Sequence, residues 1–450
     1  MMNTWTIDTL KNAVCNWECM NGAQVADFLE VMNQRFPPDV FQEHLDRRKR
    51  AIENAVSAKK LLDGAVQSFP DVMNYQSLDD SFENMAGFGV VFTAGGEGER
   101  LRLSLIDKGV PPESLRDFTK ATYPLRGFYG DYGALQINLA MISWICDKYG
   151  IDIPVIVTTG PADSITARVI PSILERRGNF GLPHVKIVPQ DERLHFTVDE
   201  KIAVQLTDGR PYPATQPDET GGPLMKLKHR IGAGNANDTG EQTTLQWLAT
   251  LGCEKLLIVQ GTAIYEPRML PYMSAAAKNH DCVGVGIPRA GFDPKDPFGT
   301  FVIINKNGSR ALRIVEQDIR NDETRAITDK DTGAHLPFNT GLYAIDRKLL
   351  EGNGLPDYAT PPKEVLPGLP RSPKIGYAAT DILPLAKRPI VLTVDPAMYA
   401  VIKTAEDLET MQETAVRFGL KGIIMESTMP INFINMEGTR PLRGQPYPTL

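Results

Sequence analysis

The chain has 450 residues, of which 42% are hydrophobic and 23% are charged, a composition typical of folded globular proteins. That balance excludes a disordered chain, and the length leaves room for roughly two or three domains. The formal charge of −7 argues against sequence-independent nucleic-acid binding, which requires a strongly cationic surface.

Cysteine usage and the start of the chain indicate the compartment. The five cysteines show no second Cys or His pair at zinc-ligand spacing, and we expect reduced thiols. The first residues lack a basic segment followed by an apolar run, and no window approaches the roughly 18 unbroken apolar residues that a membrane span needs. We therefore expect a cytoplasmic protein that binds neither nucleic acid nor membrane.

Residues 1–86 are predicted to be helical. Val25, Phe28 and Met32 recur at helical spacing, and the Pro37-Pro38 pair separates two helical parts. No plausible reactive set of side chains occurs in this region. We interpret it as an N-terminal helical segment that acts as a cap, an oligomer contact or a regulatory segment.

From residue 87 onwards, short apolar runs alternate with amphipathic helical stretches, which predicts an α/β fold with a central mixed, mostly parallel sheet. Active sites of such sheets lie beyond the carboxyl ends of the strands. We expect a main domain over 87–385 and a small C-terminal segment over 386–450 that closes over the active site. The predicted strands are 87–94, 153–158, 185–188, 255–259, 282–287, 300–304 and 389–394, and the predicted helices are 134–149, 164–177, 243–251 and 405–417.

A glycine-rich loop follows the first predicted strand directly, with the sequence Ala-Gly-Gly-Glu-Gly-Glu-Arg-Leu. Backbone N–H groups at Gly95, Gly96 and Gly98 can hold phosphate oxygens, and Arg100 adds a fork of donors for the same oxygens. The loop is neither a dinucleotide fingerprint, since Leu101 replaces the third glycine, nor a P-loop. It indicates a phosphate-binding loop, with a tight turn that binds nothing as the alternative.

This loop resembles the signature of sugar-1-phosphate nucleotidyltransferases, and further segments in the same order resemble the UTP-dependent group that contains UDP-glucose and UDP-N-acetylhexosamine pyrophosphorylases. The resemblance runs from about residue 88 to 410. It implies a Rossmann-like nucleotidyltransferase domain that transfers uridylyl from UTP to a sugar 1-phosphate, giving a UDP-sugar and pyrophosphate. The segments that carry it are 118–125 (Phe-Thr-Lys-Ala-Thr-Tyr-Pro-Leu), 158–160 (Thr-Thr-Gly), 188–190 (Val-Pro-Gln), 217–222 (Pro-Asp-Glu-Thr-Gly-Gly), 314–317 (Ile-Val-Glu-Gln), 338–341 (Phe-Asn-Thr-Gly, matched to a family turn) and 399–408 (Tyr-Ala-Val-Ile-Lys-Thr-Ala-Glu-Asp-Leu).

The resemblance implies that three cations are the catalytic residues. Arg100 and Lys120 are expected on the triphosphate, and Lys403 between the α-phosphate and the sugar phosphate. Two phosphate-bearing substrates repel each other, and transfer between them requires alignment and charge neutralisation. The alternative for each lysine is an ordinary solvated surface charge.

The same resemblance assigns the binding residues. Gln190 would face the uracil edge, where its amide offers both a donor and an acceptor, and Gly221 and Gly222 would contact the base and ribose. Glu316 and Asn339 would bind sugar hydroxyls. The alternatives are a loop glycine pair and ordinary polar strand ends.

The main departure from the family concerns the metal. The family usually carries a Mg²⁺-coordinating aspartate after the strand that ends near residue 259, where this chain has Gln260, and an amide is a far weaker Mg²⁺ ligand. Glu266 and Asp395 are the remaining candidate ligands, and we expect Mg²⁺ to arrive largely with the nucleotide. The substitution leaves open a catalytically impaired UDP-sugar-binding or regulatory relative. A UDP-sugar-dependent glycosyltransferase is the other alternative, and the Asp-x-Asp spacing at 329–331 gives it weak support.

Overall fold

The computed structural model describes residues 4–96, 98–125, 132–229, 242–291, 298–352 and 354–425. The helices are α1 (Ile7–Ala13), α2 (Gly22–Arg35), α3 (Pro38–Lys59), α4 (Glu99–Asp107), α5 (Ala134–Tyr149), α6 (Ile165–Arg176), α7 (Gly222–Lys226), α8 (Thr244–Thr250), α9 (Met269–Ala277), α10 (Asp322–Ala326), α11 (Arg347–Gly352) and α12 (Asp407–Arg417). The strands are β1 (Val66–Ser68), β2 (Val72–Asn74), β3 (Phe88–Thr93), β4 (Val155–Thr159), β5 (Val185–Pro189), β6 (Glu192–Leu194), β7 (Val204–Thr207), β8 (Arg210–Pro213), β9 (Thr215–Pro217), β10 (Lys255–Gln260), β11 (Ala263–Tyr265), β12 (Cys282–Arg289), β13 (Thr300–Lys306), β14 (Ser309–Val315), β15 (His335–Asp346), β16 (Asp357–Ala359), β17 (Lys363–Glu364), β18 (Arg371–Ser372), β19 (Ile375–Tyr377), β20 (Pro389–Thr393) and β21 (Tyr399–Val401).

A mixed sheet of eleven strands, counted over the described residues, forms the centre of the molecule. Eight of its strands run in the order β2-β20-β12-β15-β10-β3-β4-β5, β13 also pairs with β15, and β1 and β14 pair with β13. Along this path β15 is antiparallel to both of its neighbours, whereas every other adjacent pair is parallel. The predicted α/β fold with a mixed, mostly parallel sheet is confirmed.

The central strands are apolar throughout because both faces of the sheet are covered. Side chains alternate between the faces, so that Val90 and Val259 pack into one hydrophobic cluster, and Val91 and Leu256 pack into another. Helices α4, α5, α6, α9 and α12 cover the first face, whereas α7, α8 and α11 cover the second. The carboxyl ends of the parallel strands are left at one edge, where the candidate site residues follow them.

The expectation of a turn at 338–341 is wrong, because these residues belong to strand β15. The segment lies inside a twelve-residue strand, whose register against β12 pairs Gly284 with Tyr343 but Gly286 with Asn339. The two extra residues form a bulge at Gly341, which has a φ of +76°. Pro337 and Gly341 are local signals for a loop, but pairing on both sides holds the segment as a strand.

The prediction that residues 1–86 are entirely helical is wrong for two short segments. Strand β2 pairs with β20 and β1 pairs with β13, and runs of three residues are too short to show a strand period. Strand β20 in turn lies between β2 and β12. Both predicted domain boundaries therefore separate strands of one sheet, and the division into domains stays a prediction.

The terminal segments pack on different parts of the molecule. Helices α1–α3 form a separate hydrophobic cluster with the 194–204 segment, in which Phe28 and Phe196 are buried. After β20, strand β21 pairs with β11 and α12 packs on the first face of the sheet. The predicted closure over the active site stays a prediction, and residues 426–450 lie outside the described part of the chain. In that part, no helix is long and apolar enough to cross a membrane.

Candidate active site

The candidate site lies where parallel strands end at the same edge of the sheet. The glycine-rich loop follows β3, Gln190 follows β5, and Gln260 is the last residue of β10. In the sheet, β3 lies next to β10 and two positions from β5. Parallel strands bring their carboxyl ends together, so the topology assembles segments that are far apart in sequence.

The glycine-rich loop requires glycine at two positions. Gly98 has a φ of +78°, and a Cβ there would lie 2.5 Å from Cβ of Lys120. At Gly95 a Cβ would collide with Nε2 of Gln190, whereas no described atom lies within 4 Å of a Cβ at Gly96. The loop therefore packs between Lys120 and Gln190 and presents Gly96 outward at the N-terminal end of α4.

The three predicted catalytic cations converge beside this loop. Burial, followed by the positive charges of Lys403 and Arg100, lowers the pKa of Lys120 to about 8, while the charge of Asp407 opposes this shift. Such an effect requires the charges to lie close to one another. The structure thus brings together Arg100, Lys120 and Lys403 from three separate segments.

The turn that carries Lys403 is tied to α4. The backbone N–H of Lys403 donates to Oδ2 of Asp407 at 2.7 Å, which fixes the turn before α12. Two residues after Lys403, the N–H of Ala405 donates to Oγ of Ser104 at 3.1 Å, and Ser104 lies on α4 one turn after Arg100. The two cations Arg100 and Lys403 are therefore held by connected elements.

An aromatic pair joins Lys403 to the predicted sugar-binding residues. The ammonium of Lys403 lies 3.7 Å from the ring centroid of Phe298, which is a close cation–π contact. The Phe298 ring stacks on Phe338 with centroids 4.9 Å apart. Asn339, one of the two predicted sugar-binding residues, directly follows Phe338 in the sequence.

Glu316 and Asn339 meet around Gly299. The backbone N–H of Asn339 donates to the carbonyl of Gly299 at 2.8 Å, and a Cβ at Gly299 would lie 3.0 Å from both carboxylate oxygens of Glu316. Burial raises the pKa of Glu316, and the charge of Asp318 raises it further. Oδ1 of Asn339 accepts a hydrogen bond from the Tyr343 hydroxyl at 3.0 Å, which orients the amide.

Gln190 presents an unpartnered acceptor. Its backbone N–H donates to the carbonyl of Thr159 at 3.2 Å, which fixes the residue at the end of β5. Its Oε1 is buried and has no hydrogen-bond partner among the described residues. A buried acceptor of this kind is costly unless a ligand or water supplies a donor.

The Gly221-Gly222 segment is linked to the segment that carries Gln190. The N–H of Gly221 donates to the carbonyl of Tyr377 at 2.7 Å, and Gly222 begins α7. Lys226, at the end of that helix, is ion-paired with Asp191, the residue after Gln190. The predicted nucleoside-binding residues therefore belong to linked segments.

Gln260 and the two candidate metal ligands, Asp395 and Glu266, all have other partners. Nε2 of Gln260 donates to the carbonyl of Thr340 at 2.9 Å, and the carboxylate of Asp395 accepts from the backbone N–H two residues later at 2.7 Å. Oε1 of Glu266 lies 3.6 Å from Nε of Arg268, and burial raises the pKa of the Glu266 carboxyl. Within the described ranges, no group of three or more His, Cys, Asp or Glu residues could hold a metal ion. These residues do not fit a preformed metal centre, and the use of Asp395 or Glu266 as a ligand stays a prediction.

The Asp-x-Asp segment is engaged in a turn. The carboxylate of Asp329 accepts hydrogen bonds from the N–H and the hydroxyl of Thr332, both at 2.7 Å. The bonds from Thr332 lower the pKa of Asp329. The Asp-x-Asp spacing that suggested a glycosyltransferase therefore belongs to a turn whose first aspartate is hydrogen-bonded within the turn.

Asp407 and Phe298 position the site through Lys403, and neither was expected to have a role. The four-residue spacing between Lys403 and Asp407 is a signal for a capped turn before a helix and could have identified Asp407. No local pattern in the sequence indicated a role for Phe298, because its contact with Lys403 joins residues about a hundred positions apart.

Comparisons with known proteins show the fold. No family model and no curated protein sequence matches the chain. Among solved structures, an inhibitor complex of the UDP-N-acetylglucosamine pyrophosphorylase from Trypanosoma brucei is 14% identical, with a TM-score of 0.64 over 93% of this chain and 85% of that one. A variant of the UDP-glucose pyrophosphorylase from Leishmania major bound to UDP-glucose is 15% identical, with a TM-score of 0.55 over 86% and 78%. The chain therefore has the fold of the UDP-sugar pyrophosphorylases, and the resemblance inferred from its sequence is confirmed at the level of the fold.

Proposed function

We propose that the chain transfers a uridylyl group from UTP to a sugar 1-phosphate, giving a UDP-sugar and pyrophosphate. The observation that carries the proposal is the convergence of Arg100, Lys120 and Lys403 beside the glycine-rich loop. Neighbouring like charges destabilise one another, and the charges of Lys403 and Arg100 add to burial in lowering the pKa of Lys120 to about 8. A polyphosphate bound among them would replace this repulsion by attraction.

The reaction is an in-line displacement. An oxygen of the sugar phosphate attacks the α-phosphorus of UTP, the new O–P bond forms, and the bond to the bridging oxygen breaks as pyrophosphate leaves. Arg100 and Lys120 would hold the triphosphate, and Lys403 would bridge the α-phosphate and the incoming phosphate. Alignment and charge neutralisation are the main requirements of such a transfer.

The remaining polar residues favour a uridine nucleotide and a sugar. The buried Oε1 of Gln190 would accept a hydrogen bond from N3–H of uracil, whereas cytosine has no proton at N3. Glu316 and Asn339, next to the Lys403–Phe298 contact, would bind sugar hydroxyls. Proteins of the same fold are named as pyrophosphorylases of UDP-glucose and UDP-N-acetylglucosamine, which supports this substrate class.

Mg²⁺ would accompany the nucleotide. It binds phosphate oxygens readily and keeps several waters, and when bound it would neutralise phosphate charge. Because the described residues lack a preformed centre, the residues proposed to act on the substrates are the three cations.

The second candidate function is a UDP-sugar-binding protein without turnover. The observation that favours it is the Gln260 side chain, which is hydrogen-bonded to the Thr340 carbonyl where the family resemblance leads one to expect a metal-binding carboxylate. Such a protein would keep the binding residues and bind UDP-sugars.

A coupled assay for pyrophosphate release tests the proposal. UTP, CTP and ATP are each combined with glucose, galactose and N-acetylglucosamine 1-phosphates, and Lys403→Ala is the matched control. Release with UTP and one of these sugars, greatly reduced in Lys403→Ala, is the expected result. Binding of UDP-sugar without release of pyrophosphate would favour the second candidate, and release of UDP from a UDP-sugar would favour a glycosyltransferase. Failure to bind UTP would contradict the proposed transfer, and failure to bind both UTP and UDP-sugars would contradict all three functions.

A further inference from the structure

A buried arginine from the N-terminal helices reaches the segment predicted to hold the nucleoside. We name residues 217–222 the nucleoside loop. Nη2 of Arg47, on α3, lies 3.3 Å from Oδ1 of Asp218, and the two side chains are only 4% and 3% exposed. Buried charges are rare and costly unless they are paired, so this pair has a strong preference for its observed geometry.

Arg47 also contacts the strand pair behind the nucleoside loop. Its Nε donates to Oδ1 of Asp357 on β16 at 2.7 Å, and its guanidinium carbon lies 4.4 Å from the ring centroid of Tyr377 on β19. The carbonyl of Tyr377 accepts the hydrogen bond from the N–H of Gly221 at 2.7 Å. One guanidinium thus holds the nucleoside loop and the strand on which that loop rests.

Asp218 continues the connection towards the base-facing residue. Its Oδ2 lies 3.1 Å from Nη2 of Arg193, three residues after Gln190 and on the adjoining β6. A Cβ at Gly222 would lie 2.5 Å from Cβ of Asp218, so the position of Asp218 directly limits the backbone of Gly222. The carboxylate therefore joins the two segments that would contact the nucleoside.

The geometry requires an arginine. A planar guanidinium presents donors in several fixed directions, and it can bridge Asp218 and Asp357 while its face packs on an aromatic ring. An ammonium is a point charge without a planar face. Through Asp218 and Tyr377, the Arg47 contacts therefore determine where the backbone of Gly221 and Gly222 lies in the nucleoside loop.

We propose that Arg47 is a positioning residue that holds the nucleoside loop against the Gln190 segment and thereby sets the affinity for the uridine part of UTP. The inference rests on the proposed function, and it gives the N-terminal helices a role in substrate recognition.

The test compares UTP with inorganic triphosphate, which lacks the nucleoside. In calorimetry, Arg47→Met should weaken UTP binding about tenfold or more, the range expected for lost hydrogen bonds to charged groups. Binding of inorganic triphosphate should change less than about threefold, as should the KM for the sugar 1-phosphate. Arg47→Lys should restore only a small part of the UTP affinity, since it cannot bridge both carboxylates.

Arg48 provides a matched control on the same helix. It is 6% exposed and contacts Oε1 of Glu200 at 3.1 Å and the carbonyl of Thr197 at 3.4 Å, neither of which belongs to the nucleoside loop. Arg48→Met should lower the stability of the fold and leave the ratio of UTP to triphosphate affinity unchanged.

Asp218→Asn is the second variant, and it keeps the size of the side chain if Arg47→Met fails to fold. It should produce the same selective loss of UTP affinity. The inference is overturned if a folded Arg47→Met or Asp218→Asn protein binds UTP like the parent, or if Arg48→Met loses UTP affinity to the same extent. A parent protein that binds no UTP overturns the proposed function, whereas a parent that binds UTP together with unaffected variants overturns this inference alone.

Discussion

The titration of Lys120 offers a quantitative test of the candidate site. Burial and the neighbouring charges of Lys403 and Arg100 lower its pKa from 10.5 to about 8. A triphosphate bound among these groups would favour the charged ammonium and return the pKa towards 10.5. Binding of UTP should therefore be coupled to protonation of Lys120.

The size of this coupling follows from the two pKa values of Lys120. At pH 7 Lys120 is already protonated in nearly all of the protein without UTP, so protonation costs UTP binding almost no free energy. At pH 9 about nine-tenths of the empty protein has lost it, whereas the complex keeps it, so UTP affinity should fall about tenfold between pH 7 and pH 9. Phosphate groups are ionised above about pH 7.5, so they do not account for a fall in this range.

Calorimetry of UTP binding between pH 7 and pH 9 at constant ionic strength measures the effect. Lys120→Arg is the control, because a guanidinium does not titrate in this range, and its UTP affinity should be nearly independent of pH. A parent affinity that stays constant from pH 7 to pH 9 would refute the reasoning. An equal fall in Lys120→Arg would assign the effect to another group.

The same pKa makes a prediction about the empty protein. A pKa lowered from 10.5 to about 8 corresponds to about 3 kcal/mol of unfavourable free energy for the charged form. The unfolded chain binds more protons than the folded one between pH 8 and pH 10.5, so this group should make the unfolding free energy rise with pH in that window. Denaturant unfolding of the parent and of Lys120→Met would separate this contribution from that of other groups.

The remaining predictions concern three other site residues. Arg100→Ala should weaken UTP binding about tenfold or more and uridine binding less; an equal loss for both ligands in calorimetry would contradict a phosphate contact. Lys403→Ala should lower kcat by about 10²–10³ with a smaller effect on UTP affinity, and Lys403→Arg should restore only part of the rate; a near-parental kcat with poorer folding would make Lys403 structural. Gln260→Asp should increase the dependence of activity on Mg²⁺, measured by titrating the free metal; tight Mg²⁺ binding by the parent without nucleotide would contradict the expectation that the metal arrives with UTP.

Local patterns in the sequence were sufficient to predict most of the sheet and the position of the glycine-rich loop after β3. The run at 87–94 predicted β3, because a short apolar stretch bounded by glycines is typical of a strand buried on both faces. Helix α5 occupies the predicted residues 134–149, since its apolar residues recur at helical spacing and Gly150 ends it in a left-handed conformation. Such features depend on a few consecutive residues, and these residues are all visible in the sequence.

Only the tertiary structure decided how distant segments meet. Strand β15 carries loop signals at Pro337 and Gly341, and pairing with β12 and β13 around Phe338 nevertheless keeps this part in the sheet. The pair of Arg47 with Asp218 joins residues 171 positions apart, and no local pattern indicates which carboxylate a buried arginine will face. The order of the strands determines which chain ends share an edge, and that order depends on packing across the whole sheet. The sequence alone therefore predicted the types of groups in the candidate site, whereas the fold determined their partners and protonation.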